Sequence, residues 1–306
     1  MELSNTSPTT FDAVVVGGGP AGLSAALVLG RARRRTLLAH AGPMRNAPAD
    51  AAHYVFTRDG TPPKDLLQIG LAQLEPYGVV VENKIVTDAA AIGHSFVLTL
   101  GNGRRVESRR VVLAIGVEDI LPDVEGMREL WGGGVFHCPY CHGWEVRNRP
   151  LAAYGKGDLG LALVTLLLGW TRDVVLFTDG PAGLSDSQRA QLARHGVPVR
   201  EERIERLVGD GRHLREVILS GGETIARGGM LIRPPQRLRS DLAHRLGCPL
   251  REDGRVEADE FGKTPIAGVF VAGDAGPGMQ SVGAAAASGA TAAAFLNHGL
   301  LEEEFA

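Results

Sequence analysis

A short apolar run, Phe11 to Val16, passes directly into Gly17, Gly19 and Gly22, spaced G-x-G-x-x-G, and then into an apolar stretch ending near Gly30. The β-branched run suits a buried parallel strand. A second strand candidate, Thr36 to Ala39, closes a strand–helix–strand unit. The glycines carry information because they stand after a strand and at the start of a helix. Gly17 permits the tight turn, Gly19 lets the backbone approach a pyrophosphate, and Gly22 allows the helix to pack closely on the strand. The first N–H groups of such a helix have no partners within it and face the phosphates.

The pattern occurs twice. Pro150 to Tyr154 is another short strand candidate, followed by Gly155, Gly157 and Gly160, an apolar helix, and the strand Asp173 to Phe177. A strand candidate also ends in Gly116. A third region, Gly268 to Asp274, is a strand ending in Gly-Asp, ahead of a Gly/Ala-rich helix from about Gln280 to Asn297. These pieces predict an α/β chain with two Rossmann-like nucleotide-binding domains, the second inserted in the first: residues 1–117 with 246–306, and 118–245. At 306 residues, 44% of them hydrophobic, the chain is long enough for two such cores.

That apolar fraction excludes disorder, and 3 cysteines exclude a disulfide scaffold. A net charge of −3, from 32 basic and 35 acidic residues, gives no global field for nucleic acid or an anionic membrane. The opening MELSNTSPTT has neither a basic nor an apolar export region. The most apolar stretch, Leu159 to Trp170, is shorter than the roughly 20 residues of a membrane span. A cytoplasmic protein is expected, without nucleic-acid or membrane partners. In that compartment a close cysteine pair is catalytic or metal-binding. The basic run Arg31 to Arg35 reads as cations at a helix end, where they suit the dipole.

Such a cysteine pair stands in Val135 to Trp144, VFHCPYCHGW. Cys138 and Cys141, spaced C-x-x-C, can close a small disulfide ring that an incoming thiolate opens readily. Zinc needs two more ligands. Cys248 stands alone, and His137 and His142 sit too close for an ordinary second pair, so no metal is expected. An imidazole beside a thiol can lower its pKa or shuttle its proton, which makes His137 and His142 candidate proton-transfer groups.

In their order along the chain, GGGPAG at 17–22, the C-x-x-C of the middle domain and GVFVAGDA at 268–275 resemble the low-molecular-weight thioredoxin reductase family over essentially the whole sequence. The resemblance implies FAD in the first domain, a nicotinamide-type second domain and a homodimer. It places Gly17, Gly19, Pro20, Ala21 and Gly22 at the FAD pyrophosphate, with Gly116 among the cofactor contacts. It places Gly273 and Asp274 at the second FAD motif, the Asp bonding the ribityl–phosphate region, and Gln280, Ser281 and Val282 beside the flavin ring.

Departures narrow the resemblance. Cys-Pro-aromatic-Cys-His-Gly carries His142 where reductases of the family have an acidic residue. This run resembles the branch of dithiol oxidases that close disulfides in dithiolopyrrolone, gliotoxin-like and depsipeptide natural products. Gly42 to Asn46, with Arg45 and Asn46 as further cofactor contacts, and Thr61-Pro-Pro63 resemble that branch too. Family reductases meet the 2′-phosphate of NADPH with a His-Arg-Arg-like cluster after the strand at Val174 to Phe177. Thr178-Asp179-Gly180 stands there instead, so NADPH is not expected, whereas NADH, or a turn that binds nothing, stays open. His40 stands where an acidic residue would bond the FAD adenosine ribose.

The resulting expectation is an FAD-dependent dithiol oxidase whose partners are a small-molecule dithiol and O2. A substrate thiolate attacks at Cys138, the substrate's second thiolate closes the product disulfide, Cys141 passes electrons to FAD, and O2 is reduced to H2O2 while His142 moves protons. Two rivals stand beside it: an NAD(P)H-dependent thioredoxin or disulfide reductase, and a flavin redox sensor without turnover. Tyr140, Trp144 and His53 to Phe56 belong either to a small-molecule cleft or to the core.

Overall fold

The computed structural model describes residues 9–306; the polar opening, read above as no export signal, lies outside them through residue 8. The chain divides into two compact units. One comprises residues up to Arg45, Pro63–Glu118 and Gln236–Ala306, and the other Asn46–Pro62 and Asp119–Pro235.

The first unit is built on the strand Thr9–Val16, whose apolar residues Phe11 and Ala13 to Val16 are all buried. It pairs in parallel with Thr36–His40 on one side and Arg105–Leu113 on the other. Val80–Asn83 and Val269–Val271 add further parallel strands, and the antiparallel pair Val86–Ile92 and Ser95–Leu100 completes a seven-stranded sheet. The helices Pro20–Arg31 and Val282–Phe305 pack together with one apolar cluster that includes Ala13, Val15, Leu38 and Val112. A side chain at Gly289 of the second helix would overlap the backbone of Ala21 in the first, so only glycine allows this crossing. The second helix continues to Phe305, past the expected end at Asn297, because its last turns are clamped. Arg34 donates to Asn297 Oδ1 (2.6 Å) and Glu304 Oε1 (2.7 Å), Arg109 pairs with Glu304, and Arg110 with Glu303. The basic run therefore does more than face a helix end: Arg31 occupies the last turn, while Arg34 ties down a distant helix.

The second unit repeats the arrangement on a smaller scale. Its five-stranded sheet has the order Val199–Arg200, Val174–Phe177, Leu151–Tyr154, Met230–Ile232, Val135–Phe136, all parallel. The helix Gly157–Leu167 buries Gly160, Leu163, Val164 and Leu167. A three-stranded antiparallel sheet, Ile204–Asp210, His213–Leu219 and Thr224–Ala226, accompanies it.

The chain returns to the first unit at Gln236, earlier than the expected 246, because Gln236–Leu238 pairs with Val117–Asp119 as a two-stranded ribbon. Residues 46–62 group with the second unit because Pro48 and Ala49 pack on Gly132 and His53 approaches Glu145. Among the described residues no helix is long and apolar enough to cross a membrane.

Candidate active site

The first glycine turn has the shape its spacing implies. Gly17 holds φ +115°, and a side chain there would overlap the Ala114 carbonyl, while one at Gly22 would overlap the Gly17 carbonyl. A Cβ at Gly19, by contrast, would meet nothing within 4 Å. Gly19 caps the helix with no side-chain acceptor, Pro20 opens it, and its first turn holds no acidic residue. The first intrahelical bond, Leu23 N–H to the Gly19 carbonyl (3.0 Å), leaves the amides of Ala21 and Gly22 outside the helical ladder. An open, uncapped and uncharged helix start is suited to an anionic diphosphate. The His40 side chain lies against Gly18, and burial holds its pKa below the ordinary imidazole value. A neutral imidazole there fits a hydroxyl partner.

The later motif converges on the same unit. Gly273 faces Ala21 of the first helix, and its N–H donates to Ser288 Oγ (2.8 Å). Arg45 Nη1 donates to Asp274 Oδ2 (2.8 Å) and to Gln280 Oε1 (3.0 Å). Gln280 and Gln236 exchange amide hydrogen bonds of 2.8 and 3.1 Å. Ser281 is engaged in folding: its hydroxyl accepts from Ala284 N–H (3.1 Å) and caps the helix that begins at Val282. Gly116 holds φ +64° and accepts from Arg239 N–H (3.3 Å). Asn46 belongs to the other unit, where its carbonyl accepts from Ala49 N–H (2.9 Å). Gln236, Ser288 and Gly289 escaped the sequence reading; for Ser288 and Gly289 the signal was the small-residue run around 284–294.

In the second unit the strand Val135–Phe136 leads through His137 to a single helical turn, Pro139–His142, with Cys138 at its N-cap. The Cys138 carbonyl accepts from Cys141 N–H (3.3 Å), so one turn carries both half-buried cysteines. His142 stacks on Phe136, ring centroids 5.5 Å apart, and its Nδ1 is buried with no hydrogen-bond partner among the described residues. Burial lowers the His142 pKa, against the opposing pull of a backbone hydrogen bond with Gly132 and of the Glu145 charge; His53 and Arg212 add small lowering contributions. His137 lies tilted against Trp131 at 6.0 Å. Tyr140 and Trp144 are exposed, as are Tyr54 and Phe56, so none of these four rings is core. Cys248 is buried in the first unit. Among the described residues no cluster of three metal-ligating side chains is assembled.

The second glycine turn differs from the first in having one of its amides bonded to a neighbouring loop. Gly157 N–H, the first amide of its helix, donates to the Ala182 carbonyl (2.7 Å), and Ala182 N–H donates to Glu201 Oε1 (3.3 Å). Asp158 in the same helical turn accepts from Gln188 (2.6 Å). Asp179, read as a residue that would face a ribose, has φ +50° and accepts from Ile204 N–H (2.8 Å) and Tyr154 OH (3.3 Å). Burial and this carboxylate push the Tyr154 phenol up to about 12.

Comparison with known proteins agrees with this arrangement. Residues 11–289 match the pyridine nucleotide-disulphide oxidoreductase family. Thioredoxin reductase sirT of Leptosphaeria maculans is 31% identical over 98% of both chains. The crystal structure of HlmI is 37% identical, with TM-score 0.91, covering 100% of this chain and 96% of that one. That of a putative thioredoxin reductase TrxB from Bacillus anthracis is 33% identical, with TM-score 0.91, over 96% and 99%. The chain thus belongs to the pyridine nucleotide-disulphide oxidoreductase family, as a thioredoxin reductase-like, FAD-dependent disulfide oxidoreductase of two nucleotide-binding folds.

Proposed function

We propose that the protein oxidises small-molecule dithiols to intramolecular disulfides through Cys138 and Cys141, with dioxygen as the final acceptor. The observation that carries this reading is His142: a buried imidazole with an unmet ring nitrogen, directly after the second cysteine of the pair. Both cysteines are thiols in this structure; once the pair is oxidised, a substrate thiolate attacks the Cys138 sulfur and breaks the Cys138–Cys141 bond, leaving Cys141 as thiolate. The substrate's second thiolate then attacks its own sulfur in the mixed disulfide, releases Cys138 and closes the product. Two protons leave the substrate, and a neutral His142 accepts one at its free nitrogen. The two electrons remain on the cysteine pair.

The open turn at Gly19, with His40, Arg45, Asp274 and Gln280, fits FAD, which when bound supplies a two-electron acceptor for the cysteines and a donor to dioxygen, yielding hydrogen peroxide. The engaged Gly157 amide, with Asp158 beside it, supports a cofactor set without NADPH. The family resemblance supports a homodimer.

Oxygen uptake by the purified flavoprotein with a small dithiol tests the reading. Stoichiometric peroxide is expected, and Cys138→Ser and Cys141→Ser should retain FAD while losing uptake. Full uptake in either variant overturns the route through the cysteines, and no uptake with any dithiol overturns the oxidase.

A further inference from the structure

We propose that the loop 53–60 selects the substrate of this reaction by presenting Phe56, flanked by Tyr54, to an apolar or aromatic ring carried by the dithiol. The inference rests on the dithiol oxidation proposed above. The loop is closed at its base: Ala52 N–H donates to the Thr61 carbonyl (2.9 Å) and Gly60 N–H to the Ala52 carbonyl (3.0 Å). Within it, Tyr54 and Thr57 hold φ of +50° and +66°. A β-branched residue such as Thr57 adopts that region only where the surrounding structure imposes it. Asp59 contributes by accepting from Tyr54 N–H (2.6 Å). The outcome is a Phe56 side chain 95% exposed, beside a Tyr54 that is 47% exposed. A solitary surface ring needs no explanation, but a ring held outward by a strained, closed loop does.

The loop also touches the segment that follows the cysteine pair. His53 Nε2 lies 3.5 Å from Glu145 Oε1, three residues beyond the turn Pro139–His142. Tyr140 and Trp144 on that segment are exposed as well, and Arg147 already covers one face of Trp144 at 3.8 Å. Aromatic faces at the edge of a thiol-exchange site bind a small ring by stacking and burial. A folded protein partner needs about 800 Å² on each side, more than one short loop offers. The occupant that fits is a small dithiol with a ring.

Anaerobic flavin reduction with benzene-1,2-dimethanethiol and with dithiothreitol tests the assignment in wild type, Phe56→Ala and Phe56→Trp. For Phe56→Ala the ratio of the apparent second-order reduction rate constant for the aryl dithiol to that for dithiothreitol should fall about tenfold, through the apparent Kd, and Phe56→Trp should restore it. FAD absorbance reports folding. An unchanged ratio overturns the inference, as does a changed oligomeric state by light scattering, which would assign the loop to contact with a second copy. If wild type oxidises neither dithiol, the reaction itself fails, and that result is distinct from a lost preference.

Discussion

In the proposed reaction His142 is the side chain that moves the proton. Its position after Cys141 was legible in the sequence, whereas its burial against Phe136 and its hydrogen bond with Gly132 depend on how the 132–136 segment folds back over the turn. Burial disfavours the charged imidazole, so the folded chain takes up this proton at lower pH than the unfolded chain, which titrates near the ordinary 6.5. The unfolded state therefore binds more protons below that value, and this residue's contribution to stability is present above it and lost as pH falls. The same shift favours the neutral imidazole that the proposed proton transfer needs. In His142→Ala, dithiol-driven flavin reduction should slow by about 10²-fold. The acid limb of the wild-type pH profile, expected below the ordinary imidazole pKa, should vanish with it. Stopped-flow reduction across pH, with bound FAD checked by absorbance, measures both. An unchanged rate and profile would move the role to His137 or to solvent.

The two helices that flank the first glycine turn show how elements outside the motif hold it. Gly289 touches the backbone of Ala21, one residue into the cofactor helix, and Ser288 beside it binds the amide of Gly273. Gly289→Val should overpack this crossing at a cost of about 1–3 kcal/mol. A lower melting temperature and weakened FAD retention are expected, and unaltered melting would show that the helices can separate without penalty. The far end of the long helix depends on charge. Arg34 and Arg109 hold the Glu304 carboxylate at about 2, well below its ordinary 4.5. A depressed carboxylate stabilises the fold above its unfolded pKa, and that contribution disappears as pH falls through the folded value. Wild type should therefore melt above Glu304→Gln at pH 6, and the two should converge near pH 2. Added salt should narrow the gap, because these groups are partly exposed. The expected end at Asn297 was wrong for a physical reason: residues 34, 109 and 110, far away in sequence, supply the partners that extend the helix.

At the scale of the whole molecule, strand–turn–helix grammar gave both nucleotide-type folds, because each motif is local and its glycines are required by backbone geometry. Neither the grouping of 46–62 with the second unit nor the return at Gln236 was legible, since these follow from packing between segments distant in sequence. The same limit applies to the difference between the two glycine turns. Both read G-x-G-x-x-G, yet the first is open at Gly19 while the second has its leading amide, Gly157, bonded to the Ala182 carbonyl. A nicotinamide dinucleotide that used the Gly157 amide would compete with that bond, and it would approach Asp158 in the same turn. NADPH faces a further cost. Its 2′-phosphate would lack the arginines that family reductases supply, with Asp179 standing in their place. Each lost charge-assisted contact costs about 1.5–3 kcal/mol, and a pair of arginines supplies at least two; at about 1.4 kcal/mol per tenfold in affinity, a deficit of two decades or more is expected. Anaerobic mixing with excess NADPH or NADH should leave the flavin oxidised while a small dithiol bleaches it. Rapid bleaching by micromolar NADPH would mean that the 182 loop opens on demand, and would make the protein a reductase.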